Sequence, residues 1–202
     1  MPWKKLGLIY EVKNNPSALP THAQMPTPVS MGNDYHLIFF AARDKDHRSH
    51  IVAIIVDIER PRRFLGQPTI VLEPGDPGTF DDDGVYPSCA PSVYPHCRLY
   101  YVGWNSRAVK PLFNAAIGLA RGLPFQPLRR FSSAPLLDRS PYDPCLVTSP
   151  FVMPPVNTGR TWHMWYTSGF CWEENARGLW SRYDIKYARS LDGLDWERQG
   201  DI

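Results

Sequence analysis

The chain has 202 residues, of which 43% are hydrophobic and 21% are charged. This composition is that of a globular protein with a sizeable core, and it excludes a disordered chain. The 22 basic and 20 acidic residues leave a formal charge of +2, which does not indicate the basic surface of a nucleic-acid-binding protein. We expect a single domain and no nucleic-acid partner.

Proline, glycine and aromatic residues indicate the fold class. The chain has 21 prolines and 14 glycines, and 13% of its residues are aromatic. Frequent turns between short segments rich in Tyr, Trp and Phe favour strands over helices. The composition therefore predicts an all-β fold.

The sequence predicts neither an export signal nor a membrane span. Lys4 and Lys5 precede a short apolar run, which Glu11 ends before the hydrophobic region of a signal peptide is complete. The longest apolar runs, LIFFAA and IVAIIV, are much shorter than the roughly 18 residues of a transmembrane helix. We expect a cytoplasmic location and no membrane partner.

One pattern of apolar and aromatic residues returns three times along the chain. The three runs are IFFAARD from Ile38, LYYVGWN from Leu99 and MWYTSGF from Met164, and their starts are 61 and 65 residues apart. Self-similarity at a fixed period is the signature of a repeat architecture. The period therefore predicts three copies of one structural unit.

Each run also has a strand-like stretch on either side. The following stretches are SHIVAIIVDI, NAAIGLA and DIKYARS, and the preceding ones are MPTPVSM, APSVYP and SPFVMPP. Each unit therefore predicts three consecutive strands, an order typical of propeller blades. A β-sandwich fits less well, because the same strand order returns each time. In the final SLDGLDW, we expect Trp196 to pack between neighbouring sheets.

Several stretches resemble one protein family, namely HAQMPTPV, FFAARD, GTFDDDGVYPSC, YYVGWN, NAAIGLA, LLDRSPYDPCLVTSPFV, MWYTSG and IKYARSLDGLDW. Together they resemble the glycosidase-like five-bladed β-propellers, which are related to glycoside hydrolase families 32, 43 and 130 and often occur in bacterial polysaccharide-biosynthesis settings. The resemblance runs from about Trp3 to Trp196. It implies that the innermost strand of each blade points into a central funnel that binds a sugar.

The length accommodates about three of the five blades. We place one partial propeller domain at 1–202, with blades near 22–60, 83–125 and 143–198. Five blades at this period need about 300 residues, so the chain is either a fragment, a shortened relative or a protein with a partner at its open edges. Because unpaired strand edges favour association, we expect a homo-oligomer that covers these edges.

The resemblance implies carboxylates on the inner strands of the first three blades. The matching positions hold Met25, Ala90 and Thr148, which are not proton donors or acceptors suited to catalysis. Because glycoside hydrolysis generally requires two carboxyl groups across the scissile bond, this departure weakens the expectation of the family mechanism.

Nearby aspartates are therefore the alternative catalytic candidates. Asp83 lies closest to the second inner strand, and its carboxylate neighbours Asp81 and Asp82 would raise its pKa towards a value suited to an acid. A run of three aspartates is otherwise typical of a solvated turn. Asp143 precedes the third inner strand, and Asp44 ends the second strand of the first blade. We predict Asp83 and Asp143 as the principal carboxylates and Asp44 as the third.

Polar and aromatic residues near these aspartates are candidate sugar ligands. A sugar offers both C–H faces and hydroxyls, so its pocket is expected to combine an aromatic surface with polar groups. For His22, a hydrogen-bonded structural imidazole is the competing interpretation. The predicted substrate-binding residues are His22, Gln24, Arg43, Asp82, Trp104 and Asn105.

Common signatures of other chemistries are absent from the sequence. It contains no GxSxG, HExxH, GxxxxGK[ST] or GxGxxG motif, and its four cysteines form no CxxC pair, so we expect reduced thiols. We predict no metal site and no cofactor; some propellers of this type hold a cation on the axis, which this sequence does not establish.

Two main functions stay open. The first is a glycoside hydrolase-like protein that acts on a bacterial oligosaccharide or polysaccharide. The second is a non-catalytic carbohydrate-binding or scaffold propeller, favoured by the missing carboxylates. A protein-interaction propeller is a weaker third. A carbohydrate ligand is the expected partner under the first two.

Overall fold

The computed structural model describes residues 3, 5, 7–61, 63–92, 96–109, 112–176 and 178–200, and in these residues the only helical element is a short 3-10 turn, Val12–Asn14. The strands are β1 (Thr21–Gly32), β2 (Tyr35–Arg43), β3 (Ser49–Asp57), β4 (Phe64–Leu72), β5 (Gly84–Ser92), β6 (Cys97–Ser106), β7 (Phe113–Gly122), β8 (Arg129–Arg130), β9 (Leu146–Met153), β10 (Trp162–Asn175), β11 (Gly178–Ser190) and β12 (Glu197–Arg198). The all-β prediction is confirmed. Within the described residues there is no helix with the length and apolarity needed to cross a membrane.

The described strands divide into three successive groups of four, and each group forms one antiparallel meander. We call β1–β4 the first blade, β5–β8 the second and β9–β12 the third. A single parallel bridge between Ser49 of β3 and Gly84 of β5 joins the first two blades. The predicted three-strand repeat is therefore present, and each blade has a fourth strand as well. The sequence predicts that the first two blades end near residues 60 and 125, whereas β4 begins at Phe64 and β8 at Arg129.

Neighbouring blades pack against each other through the faces that they turn towards one another. β3 consists mainly of Ile, Val and Ala, and nearly all of it is buried, as expected for a strand covered on both faces. One apolar cluster joins the first and second blades through residues such as Phe39, Ile51, Leu99 and Tyr101. A second cluster joins the second and third blades through residues such as Tyr100, Ile117, Met164 and Tyr166.

The predicted role of Trp196 in packing is confirmed. Its side chain packs against the cluster that joins the second and third blades. Its ring makes an edge contact with Tyr100, with centroids 6.2 Å apart. The Tyr100 hydroxyl also donates to the carbonyl of Gly193 over 2.8 Å. The SLDGLDW segment therefore ties the third blade to the second. All four cysteines are free thiols in this structure.

The outer faces of the first and third blades differ. On the first blade, Leu19 and Tyr10 from the N-terminal segment pack over a cluster that includes Phe40 and Ile54. On the third blade, the face turned away from the second blade carries exposed aromatic and aliphatic side chains. They include Phe151, Met153, Trp165 and Ile185.

Candidate functional site

The innermost strand of each blade contains an irregularity at a corresponding point. The pairing register shifts between Gln24 and Thr27 in β1, between Pro87 and Cys89 in β5, and between Thr148 and Phe151 in β9. Bulges of this kind re-aim side chains and are frequent beside functional sites. The three inner strands are therefore irregular in the same region.

Two residues at these bulges have a left-handed backbone. Met25 has a φ of 56° and Ser149 a φ of 51°, a conformation that costs of order 1–3 kcal/mol for a residue other than glycine. By the pairing register, the counterpart of these residues in β5 is Ser88, whereas the sequence analysis placed it at Ala90. Neither assignment puts a carboxylate at the bulge. Ser88 also joins two of the bulges, since its Oγ donates to the Pro150 carbonyl over 2.9 Å.

A cavity of about 520 Å³ lies among the inner strands, within the size range of small-molecule sites. Residues from all three blades line it. Met25 and Thr148 are among them, so the cavity opens beside the first and third bulges. The described lining residues are Met25, Arg43, Tyr86, Val102, Trp104, Ser106, Leu112, Phe113, Ala115 and Thr148.

Two stacked aromatic rings form one wall of the cavity. Tyr86 of β5 and Trp104 of β6 are nearly parallel, at 9° with ring centroids 6.1 Å apart. The Trp104 Nε1 donates to Ser49 Oγ of the first blade over 2.8 Å, which fixes the indole. Phe113 adds a third ring, held edge-on by Trp172 at 5.6 Å. The cavity therefore offers a rigid aromatic surface.

Arg43 brings a positive charge to this wall. Its Nη2 donates to the Tyr86 hydroxyl over 2.6 Å and its Nη1 to the His47 carbonyl over 3.4 Å. Its Cζ lies 5.4 Å from the centroid of the Trp104 ring, close enough for a cation–π interaction. The structure therefore brings together two of the predicted ligand residues, Arg43 and Trp104.

Asp83 lies directly behind the cavity wall. Its Oδ2 accepts hydrogen bonds from the backbone N and the Oγ of Ser106, at 2.6 and 2.8 Å, and Ser106 lines the cavity. Asp82 accepts from the backbone N of Gly78 over 2.7 Å and from Asn105 Nδ2. Asp82 and Asn105 are therefore held together by the turn before β5, and neither is among the described residues that line the cavity.

Asp143 is fully buried in a polar cluster of the third blade. Its Oδ2 accepts from Arg198 Nε and from Ser140 Oγ, both at 2.8 Å, and the Tyr166 hydroxyl lies 3.3 Å from Oδ1. Burial and the nearby Asp143 charge raise the pKa of Tyr166 to about 12. Asp143 has no exposed surface in this structure, and its catalytic role stays a prediction.

The second blade contains the same cluster at corresponding positions. Asp81 is fully buried and accepts from Arg130 Nε over 2.8 Å and from the Tyr101 hydroxyl over 2.9 Å. Thus Asp81, Arg130 and Tyr101 repeat the arrangement of Asp143, Arg198 and Tyr166. We call these two sets the buried Asp–Arg–Tyr clusters. Their repetition indicates a structural role within the blade.

The remaining predicted residues lie outside the described cavity lining. Asp44 binds Arg48 and His50 through its Oδ2, at 3.0 and 3.2 Å. Burial raises the pKa of Asp44, but these hydrogen bonds outweigh it, so the pKa is lowered. His22 is exposed and its Nδ1 contacts Thr21 Oγ1 at 3.0 Å, while Gln24 pairs with Ala41 in the sheet. No group of three or more His, Cys, Asp and Glu side chains in the described residues is arranged to hold a metal ion.

Sequence reasoning missed Tyr86. The sequence predicts the second inner strand in the stretch APSVYP, which starts at Ala90, but β5 begins at Gly84. The β-branched Val85 and the aromatic Tyr86 were the sequence signal that could have extended this strand.

No protein-family model matches the chain. Two uncharacterized proteins of Mycobacterium tuberculosis, MT1551 of strain CDC 1551 and Rv1502 of strain H37Rv, are each 34% identical to it over 200 residues. The alignments cover 98% of this chain and 65% of each relative. The chain therefore spans 65% of the length of these relatives.

Solved structures of glycosidases share the fold. An alpha-L-arabinofuranosidase from Lactobacillus brevis matches with a TM-score of 0.66 and 12% identity, over 99% of this chain and 61% of that one. A thermostable family-43 glycoside hydrolase gives 0.58 and 17%, over 88% and 54%. A Bombyx mori GH32 beta-fructofuranosidase gives 0.56 and 16%, over 86% and 33%. The chain has a glycosidase-type β-propeller architecture, consistent with a partial propeller.

Proposed function

We propose that this chain binds a carbohydrate in the cavity among the inner strands of its three blades. The stacked Tyr86–Trp104 wall is the observation that carries the proposal. The apolar C–H face of a sugar ring packs on such an aromatic surface, while its hydroxyls require polar groups at the edge. Arg43, Ser106 and Thr148 supply polar groups around the cavity.

Two further observations support carbohydrate as the ligand class. The solved structures that share the fold are named as glycoside hydrolases, an arabinofuranosidase and a fructofuranosidase. In addition, the cavity lies at the inner-strand bulges, where backbone strain at Met25 and Ser149 is typical of a functional site. The likeness of fold supports the proposed ligand class, and the cavity geometry supports the proposed location.

The lining of the cavity supports carbohydrate binding better than it supports glycoside hydrolysis. Hydrolysis generally requires two carboxyl groups facing the scissile bond, and no carboxylate is among the described lining residues. Among the predicted acids, Asp83 is the one seen to bond directly to a lining residue, Ser106. Hydrolysis with Asp83 as acid is therefore the second candidate function.

A binding screen with matched variants tests the proposal. Calorimetry against a panel of mono- and oligosaccharides is expected to give at least one ligand. Trp104→Ala should weaken its binding about tenfold or more, because the stacking surface is lost. Trp104→Phe should keep most of the affinity, since it removes the bond to Ser49 but retains a ring. Trp180→Ala is the control, because Trp180 is half exposed on β11 and does not line the cavity.

Chromatography of the same incubations measures hydrolysis. Turnover that disappears in Asp83→Asn would establish the second candidate function. Absence of binding by the wild-type protein, or binding that is equal in wild type and Trp104→Ala, would overturn the proposal.

A further inference from the structure

The charge on the cavity wall has one sign. Of the lining residues that the structure describes, Arg43 is the one with a full charge at neutral pH, and the others are apolar or neutral polar groups. A ligand group that lies beside Arg43 is therefore favoured if it is anionic.

Arg43 has no carboxylate partner among the described residues. Its hydrogen-bond acceptors are neutral oxygens, the Tyr86 hydroxyl and the His47 carbonyl. The adjacent Asp44 does not neutralise it, because that carboxylate is bound to Arg48 and His50. By contrast, Arg130 and Arg198 each pair with a buried aspartate. The cavity arginine differs from these two in lacking a counter-charge.

The position of Arg43 makes this lack of a counter-charge costly. The residue is half buried, and its Nε is buried with no hydrogen-bond partner among the described residues. The Trp104 ring offers a cation–π contact but carries no net charge. A partly desolvated guanidinium is stabilised by an anion beside those of its donors that face the cavity. A bound anionic group would supply what the chain does not.

We infer that the bound carbohydrate is anionic, with a carboxylate or phosphate that forms an ion pair with Arg43. This inference rests on the proposed function, because the sugar ring is taken to stack on Tyr86 and Trp104. The guanidinium lies beside both rings, so a single saccharide would contact the aromatic wall and the cation together. The ligand class is therefore an acidic saccharide, such as a uronate or a sugar phosphate.

Matched pairs of ligands separate the charge from the ring. Glucose is compared with glucuronate and glucose 6-phosphate, and galactose with galacturonate, by calorimetry at neutral pH. We expect the acidic member of a pair to bind about tenfold or more tightly than its neutral partner. The glucuronate and glucose 6-phosphate arms distinguish a carboxylate from a phosphate. Raising the salt from about 20 mM to about 500 mM should narrow the difference by screening.

Substitutions of Arg43 test the residue itself. Arg43→Met keeps the length of the side chain and should abolish the preference for the acidic ligand, whereas Arg43→Lys should retain part of it. Arg160→Met is the control, because Arg160 is exposed and does not line the cavity. Thermal melting of each variant confirms that it is folded.

The outcomes distinguish this inference from the proposed function. If neutral and acidic saccharides bind equally well and Arg43→Met changes neither, the inference is wrong while carbohydrate binding stands. If no saccharide binds, carbohydrate binding is wrong and the inference falls with it. If inorganic phosphate binds in an Arg43-dependent way and no saccharide binds, Arg43 forms an anion site that does not take a sugar. That result would overturn both the proposed carbohydrate binding and the preference for an acidic saccharide.

Discussion

The first and third blades have the same order of strands but place their aspartates in different environments. Asp44 of the first blade directly follows β2, retains a small exposed fraction, and binds Arg48 and His50 from the adjoining turn and strand. Asp143 of the third blade is fully buried and binds Arg198, 55 residues away. The first contact is local and its Arg48 side chain is 47% exposed, whereas the second joins the segment before β9 to β12. Carboxylates that look alike in the sequence therefore have different energetic consequences.

The outer faces of the same two blades differ as well. Leu19 and Tyr10 cover the first blade, whereas the third blade exposes Phe151 and Trp165, whose rings lie beside each other and beside the half-buried Tyr187. Apolar sheet faces are normally covered by another layer. The exposed face of the third blade is therefore a surface at which association with another copy of the protein can be tested.

The largest effect is expected at the buried aspartate. Asp143→Asn keeps the side-chain size but leaves the Arg198 guanidinium without a counter-charge, so the free energy of unfolding should fall by about 3 kcal/mol. Asp44→Asn should cost less than about 1 kcal/mol, because its pair with Arg48 is near the surface. Urea unfolding measures both.

Asp81→Asn provides the matched comparison in the second blade. Because Asp81 occupies the same cluster as Asp143, its substitution should cost a similar amount. Equal losses for Asp44→Asn and Asp143→Asn would contradict the difference described between the two blades.

A second prediction concerns the exposed face of the third blade. The sequence predicts a homo-oligomer that covers open strand edges, and the exposed face around Trp165 offers a different surface for association, with Trp165 at the centre of the neighbouring rings. Light scattering should therefore give a mass above that of one chain, and Trp165→Arg should weaken association about tenfold or more. Ile58→Arg is the control, since Ile58 is an exposed apolar residue of the first blade. A monomeric wild-type protein would show that the prediction is wrong.

The smallest effect is the dependence of stability on pH at Asp44. Its pKa is lowered in the folded protein by hydrogen bonds that outweigh burial. The stability it contributes is therefore present above the ordinary value of about 3.9 and is lost as the pH falls through the lowered folded value. The difference in unfolding free energy between wild type and Asp44→Asn should shrink as the pH is lowered from about 6 to about 3. A difference that grows towards acid pH would contradict the assignment.

Much of the fold could be predicted from the sequence, because strands with apolar and aromatic side chains carry a strong pattern. The repeats beginning at Ile38, Leu99 and Met164 correspond to β2, β6 and β10. The short strands β8 and β12 consist of Arg-Arg and Glu-Arg and have no apolar alternation to reveal them. Their pairing depends on the tertiary structure.

The candidate site was harder to predict. Arg43 and Trp104 could be proposed from their polar and aromatic character at strand ends, and both line the cavity. The burial of Asp143 depends on Arg198, far along the chain, so local sequence gave no sign of it. Tyr86 was missed because the start of β5 is not marked by a strong apolar run.

The contact between the first two blades has a consequence for the measurement of binding. Gly84 lies so close to Ser49 that an added Cβ would stand 2.2 Å from its Oγ, and that same Oγ accepts the hydrogen bond from Trp104. One indole thus belongs both to the cavity wall and to the junction of two blades. By thermodynamic linkage, a ligand that stacks on Trp104 in the folded protein alone raises the melting temperature with increasing concentration. Heat resistance then becomes a readout of occupancy.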